Sequence, residues 1–106
     1  MPIEISLNKI HEKYLEHLDR FEYSIEEKNM KLDYIQIKKG HKNKGIGSLI
    51  MKEIISLCEE NNITLTLYPR VGNRNVYYKL RKFYRKLGLF EKFDEEYYLY
   101  FTNISS

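Results

Sequence analysis

Residues His41 to Ile50 read HKNKGIGSLI: a histidine and two lysines, two glycines separated by one residue, a serine, then apolar side chains. The stretch follows LDYIQIKK, whose apolar residues alternate as a strand requires, and it opens a run with helical spacing. A chain that passes from strand to helix leaves the first-turn N–H groups unpaired, at the positive end of the helix dipole. Such a corner attracts an anion if the backbone can approach it closely. Gly45 and Gly47 remove the Cβ atoms that would obstruct the approach, Lys42 and Lys44 add full charges, and Ser48 adds a hydroxyl. The chemistry suggested is the binding of a phosphate-bearing ligand.

Three phosphate-binding patterns compete for this corner. The nucleotide P-loop requires a lysine after its last glycine, which GHKNKGIGS lacks, and the dinucleotide fingerprint requires a third glycine where Ile50 stands. The third pattern, Arg or Gln followed by x-x-G-x-G/A after a strand, fits KNKGIG with Lys42 in the first place.

The elements that must hold the corner can be read from periodicity. IEIS at the start alternates like a short strand, and LNKIHEKYLEHLDRF spaces Leu7, Ile10, Tyr14, Leu15 and Leu18 along one helical face. FEYSIEE, with Phe21, Tyr23 and Ile25 on one side, and the strand 32–39 form an antiparallel hairpin across a polar turn. A helix over 45–61 carries Ile46, Leu49, Ile50, Ile54, Leu57 and Cys58 as a broad apolar stripe. ITLTLYP, over 63–68, is a β-branched strand closed by Pro69. A loop then leads to a helix over NVYYKLRKFYRKLG, with Asn75 as its N-cap and Gly88 at its end. LFEKFDEEYYLYFTN supplies a strand, a turn and a last strand. The predicted order is β, α, β-β, α, β, α, β-β: an α/β (α+β) chain built around a central β-α-β unit with parallel strands.

The pairing of KGIGSLIMKEI with FYRKLG some forty residues later resembles the GCN5-related N-acetyltransferase (GNAT) superfamily. The resemblance covers residues 31–101. It implies a mixed, mostly antiparallel sheet flanked by helices, in which strand 32–39 splays away from strand 63–68 and the thioester of acetyl-CoA lies in the V between them. On that basis the backbone around Ile35 and Ile37 pairs with the pantetheine arm. The amides of Lys42, Asn43, Lys44, Gly45, Ile46 and Gly47, with Ser48, hold the pyrophosphate. Tyr84, in FYRKLG, donates a proton to the departing thiolate; a phenol of ordinary pKa near 10 keeps that proton at neutral pH. No metal is implied.

The sequence departs from the family in three places. Lys42 stands where Arg or Gln is usual, which keeps the charge but loses the planar fork. Tyr77 stands where an asparagine often precedes the tyrosine. Residues 1–30 have room for one helix where two are usual, so the acceptor side is abbreviated and open. That openness implies a large acceptor, such as a protein lysine or N-terminal amine, or completion of the site by a second copy in a homodimer. A small amine acceptor and a module that binds CoA without catalysis are the other readings.

Acetyl transfer to an amine needs the neutral nitrogen. A lysine of pKa near 10.4 is neutral in about one molecule in 2,500 at pH 7, a cost of roughly 4–5 kcal/mol. Asp33, Gln36, Glu22 and His41 are candidate bases or water-orienting groups, and the sequence does not choose among them.

Composition narrows the alternatives. The 106 residues carry a net charge of +3, and the clusters at Lys38–Lys44 and Lys79–Lys86 are interrupted elsewhere by EKFDEEYY, so nucleic-acid binding is disfavoured. One cysteine, Cys58, excludes an internal disulfide. The first residues carry charges and no apolar core of a signal peptide, and no apolar run is long enough for a membrane span. The expectation is a cytoplasmic chain of one domain, 1–106, with acceptor-side residues 1–30 and a cofactor-binding core over 31–101.

Overall fold

The computed structural model describes residues 3–41, 45–69 and 73–104. The chain does not begin with a strand. Ile3–Lys13 is a helix, α1, whose Ile3, Leu7 and Ile10 are buried. IEIS alternates locally, but Ile3 also belongs to the i, i+4, i+7 stripe that continues through Leu7 and Ile10, and the longer pattern prevails. The helix also stops earlier than its sequence suggests. Lys13 and Tyr14 both donate to Glu53 of the next helix, Leu15–His17 makes one 3-10 turn, and Leu18 opens strand β1 (Leu18–Glu26). Leu18 thus serves the sheet rather than the helix.

Strand β1 turns at Glu27 and Lys28 into β2 (Asn29–Ile37), which begins three residues earlier than its apolar alternation indicates. Helix α2 (Ile46–Glu60) buries Ile46, Ile50, Met51, Ile54, Ile55 and Cys58. Burial pushes the Cys58 thiol up to about 11, so at neutral pH it is an inert apolar side chain against Met30. Strand β3 (Thr64–Leu67), helix α3 (Arg74–Lys86) and the strands β4 (Phe90–Phe93) and β5 (Leu99–Thr102) follow. The sheet order is β1-β2-β3-β5-β4; β2 and β3 run parallel, and the other three pairs are antiparallel. The expected mixed sheet around a β-α-β unit is present. One apolar cluster joins α1, α2 and the sheet, with Leu7, Ile50, Ile54, Leu65 and Phe101 fully enclosed. Among the described residues no helix is long and apolar enough to cross a membrane.

Helix α3 is capped by Asn73 rather than Asn75: the Asn73 side chain accepts from the Val76 N–H at 3.0 Å. At its far end Gly88 has φ +89, the Gly88 N–H donates to the Arg85 carbonyl, and the Leu89 N–H donates to the Tyr84 carbonyl. This is a Schellman stop, with Leu89 buried as its apolar anchor. The run FYRKLGL is therefore a device that fixes the end of α3, Tyr84 included, against the sheet. A second tie comes from Glu91 of β4, which accepts from the Tyr77 hydroxyl at 2.7 Å and from Arg81 at 2.6 Å. Replacing Glu91 with Ala removes both bonds and is expected to cost about 1–2 kcal/mol in urea unfolding, Arg81 being partly exposed.

Candidate active site

Two features of β2 open a gap in the middle of the sheet. Its pairing with β3 ends at Leu32↔Leu67, and two residues later Pro69, which has no N–H, stands where the ladder would continue. On the other side β2 stays paired with β1 as far as Ile37, but with two slips: Asp19 is an extra residue of β1 between Leu18↔Ile37 and Arg20↔Gln36, and Asp33 is an extra residue of β2, since Glu22 faces Tyr34 and Tyr23 faces Leu32. The bulge at Asp33 exchanges the two faces of β2. Met30 and Leu32 point into the core before it, and Ile35 and Ile37 pack on the core after it. Beyond Leu32 the β3-side edge of β2 has no strand partner among the described residues.

The gap holds a cleft of ≈ 380 Å³ bounded by Asp33 to Gln36 of β2, by Leu67 to Pro69, and by Tyr84 of α3. A second cleft of ≈ 440 Å³ continues from it, sharing Ile35 and Gln36, and reaches Gly45 to Ser48 at the start of α2. The two glycine-corner and tyrosine motifs therefore stand at opposite ends of one channel along the open edge of β2.

At the corner end Gly45 caps α2 with φ +74, a left-handed conformation that glycine adopts without strain. The first intrahelical bond is Leu49 N–H to the Gly45 carbonyl, which leaves the preceding amides without a helical partner among the described residues, and no acidic residue occupies the first turn. Ser48 lines the cleft beside them. Ile46 lines it too, but its side chain is buried in the core, so only its backbone is available. Lys42, Asn43 and Lys44 lie outside the described residues.

At the other end the Tyr84 ring packs on Phe101, with centroids 4.9 Å apart. Its hydroxyl finds no hydrogen-bond partner among the described residues, whereas the hydroxyls of Tyr14, Tyr68 and Tyr77 each bond a carboxylate. Burial pushes the Tyr84 phenol above its ordinary value, so it stays protonated across the physiological range. A half-buried phenol that lines a cleft, with an O–H that no described residue engages, is suited to donate a proton.

The four candidate bases separate. Asp33 and Gln36 line the cleft with Tyr84. Glu22 is bound to Arg20 at 2.6 Å, and His41 lies in the corner cleft with its Nδ1 2.8 Å from that of His17. Sequence reasoning missed Phe83, which lies 3.9 Å from where a Gly47 Cβ would be and walls the corner cleft; its place next to Tyr84 was the available signal. It also missed Arg20, whose guanidinium lies 3.6 Å from the centre of the Tyr34 ring and lines the mouth. That contact depends on the hairpin register, which the sequence does not give. Among the described residues no cluster of three or more His, Cys, Asp or Glu is placed to hold a metal.

None of the curated proteins matches the chain. Among solved structures, the PaiA N-acetyltransferase of Thermoplasma acidophilum, in complex with coenzyme A, is similar at 19% identity and a TM-score of 0.58, over 77% of this chain and 50% of that one. The anti-CRISPR protein AcrVA5 is 24% identical with a TM-score of 0.54, over 76% and 84%. A GNAT-family acetyltransferase from Staphylococcus aureus Mu50 is 17% identical with a TM-score of 0.56, over 96% and 79%. At these identities the likeness is one of fold. The family model described as FR47-like protein matches residues 22–99, well over half of the chain, and the chain belongs to that family, within the GNAT superfamily.

Proposed function

We propose that the protein transfers the acetyl group of acetyl-CoA to an amine, on a protein lysine or N-terminus, by direct attack of the amine on the thioester. The observation that carries this reading is the channel that joins the glycine corner of α2 to Tyr84 along the unpaired edge of β2. In this reading the amides of Gly45 to Ser48, together with the backbone of Lys42, Asn43 and Lys44 and the charges of the two lysines, grip the pyrophosphate. The edge around Ile35 and Ile37 pairs with the pantetheine arm as a strand would. The thioester then lies in the cleft beside Tyr84, whose hydroxyl protonates the sulfur as the carbon–sulfur bond breaks. Coenzyme A in the related fold of PaiA supports the choice of cofactor. Residues 31–101 form the cofactor-binding core and residues 1–30 the short acceptor side. The cleft has a mouth at Arg20 and the half-exposed Tyr68, open enough for a protein surface.

Gly47→Val tests the cofactor half. Among the described residues the new Cβ meets Phe83 at an ordinary 3.9 Å, and Gly47 lines the corner cleft, so a branched side chain there should narrow it without disturbing the fold. Calorimetric titration is expected to show one CoA bound per wild-type chain and at least ~10-fold weaker binding by the variant, about 1.4 kcal/mol, at an unchanged melting temperature. Equal affinity in both proteins would remove the corner from the site. Release of free CoA thiol in the presence of amines tests the transfer half; binding without release would leave a CoA-binding module.

A further inference from the structure

Acetyl transfer to an alkyl amine stalls unless something removes the ammonium proton, and the family resemblance designates no residue for that task in this chain. Two register slips in the β1–β2 ladder each leave an aspartate as the extra residue, Asp19 and Asp33, and of these Asp33 lines the cleft. Asp33 directly follows the last β2–β3 pair, and it is the one carboxylate among the described residues lining the cleft that holds Tyr84. Bulges re-aim a side chain out of the alternation of a strand. Here the re-aimed group lies at the open seam where the thioester is placed.

The geometry points to Asp33 as the catalytic base that takes the proton from the acceptor amine, directly or through one water. This assignment rests on the transferase reading above. The alternatives are committed elsewhere or unable: Glu22 to Arg20, His41 to His17 at the far cleft, and Gln36 accepts no proton. Among the described residues the charged and titratable groups around Asp33 are five, one of them Tyr34, the next residue of β2, which carries Arg20 over its ring. Lys31, on its own strand, approaches to 3.8 Å; Arg20 from β1, Tyr68 after β3 and Tyr84 from α3 share the cleft. Half-exposed, Asp33 is open to an incoming acceptor.

The proton count closes. R–NH3+ gives one proton to the Asp33 carboxylate, and the neutral nitrogen forms a bond to the thioester carbon. The carbon–sulfur bond then breaks, and the sulfur takes the Tyr84 proton. The nitrogen, still carrying an extra proton, returns one to the Tyr84 oxygen, and Asp33 releases its own to solvent. The products are the amide, CoA thiol and one proton.

The test compares two small amines of similar size at pH 7, ethylamine and 2,2,2-trifluoroethylamine, the second already neutral in water, with poly-L-lysine as a third acceptor. Asp33→Asn is expected to slow transfer to ethylamine and polylysine by ~10²-fold. Transfer to trifluoroethylamine should fall less than about threefold, and the ethylamine deficit should shrink as pH rises and solvent supplies neutral amine. Asp33→Glu should restore part of the rate. CoA affinity and melting temperature, measured alongside, should match the wild type. Equal losses for both amines at every pH, or no loss at all, would overturn the role of Asp33 while leaving the transferase reading intact. Failure of the wild type to acetylate any of the three acceptors, despite binding CoA, would overturn both.

Discussion

Tyr84→Phe is expected to lower kcat by ~10³-fold, about 4 kcal/mol of barrier, while the affinity for acetyl-CoA stays within about twofold. The substitution deletes one oxygen. The ring stays, and with it the packing on Phe101 at 4.9 Å, so the variant should fold and melt like the wild type. What is lost is the O–H that no described residue engages and that faces the seam. Because burial raises the phenol above its ordinary value of 10.0, the protonated form persists, and the wild-type rate should show no alkaline decline from this group below about pH 10. Single-turnover acetyl transfer at saturating acetyl-CoA, paired with calorimetric binding, separates the two quantities. A large loss of binding with normal turnover would reassign Tyr84 to holding the cofactor.

Phe101→Ala should produce the largest change in stability. Phe101 is fully buried, pairs with Leu67 across β3–β5 and supports the Tyr84 ring on its other side. Truncating a buried phenylalanine costs about 3–5 kcal/mol, a large part of the 5–15 kcal/mol that holds a typical domain together. The urea midpoint should fall accordingly. Any folded fraction at low temperature should also turn over slowly, since Tyr84 no longer has the surface that sets its angle. Phe93→Ala is the matched control: at 59% exposure on the edge strand β4, its loss should stay within about 0.5 kcal/mol. Comparable destabilisation in the two variants would contradict the burial that defines this core.

These two residues also show what the sequence could and could not say. Tyr84 stood out in the sequence through the resemblance of its run FYRKLG to a family motif; what the structure adds is that the glycine and following leucine of that run form the helix stop. The glycine corner was legible from its own residues, since a left-handed Gly45 and a first turn without acids are local properties. The order of elements from β1 onward followed from periodicity. The first element did not, because Ile3 fits both a two-residue and a 3.6-residue pattern, and only packing against α2 decides between them. Asn75 lost the capping role to Asn73, since the cap depends on where the preceding loop delivers the chain. The choice among Asp33, Gln36, Glu22 and His41 was beyond any local reading. The case proposed for Asp33 rests on a one-residue slip between two strands, and nothing in KLDYIQ announces which residue is the extra one.

The open seam has a mechanical consequence. Among the described residues the hairpin β1–β2 and the three strands β3, β5 and β4 are joined as a sheet by the register pairs Asn29↔Thr64 to Leu32↔Leu67. Beyond that short weld the two arms are unpaired with each other and a cleft lies between them, with α2 beginning past the far end of β2. A long ligand laid between the arms touches both and resists their breathing, whereas an empty cleft leaves them to flex about the weld. Ligand binding should therefore stiffen the whole sheet as well as fill a hole in it, and raise the melting temperature by mass action.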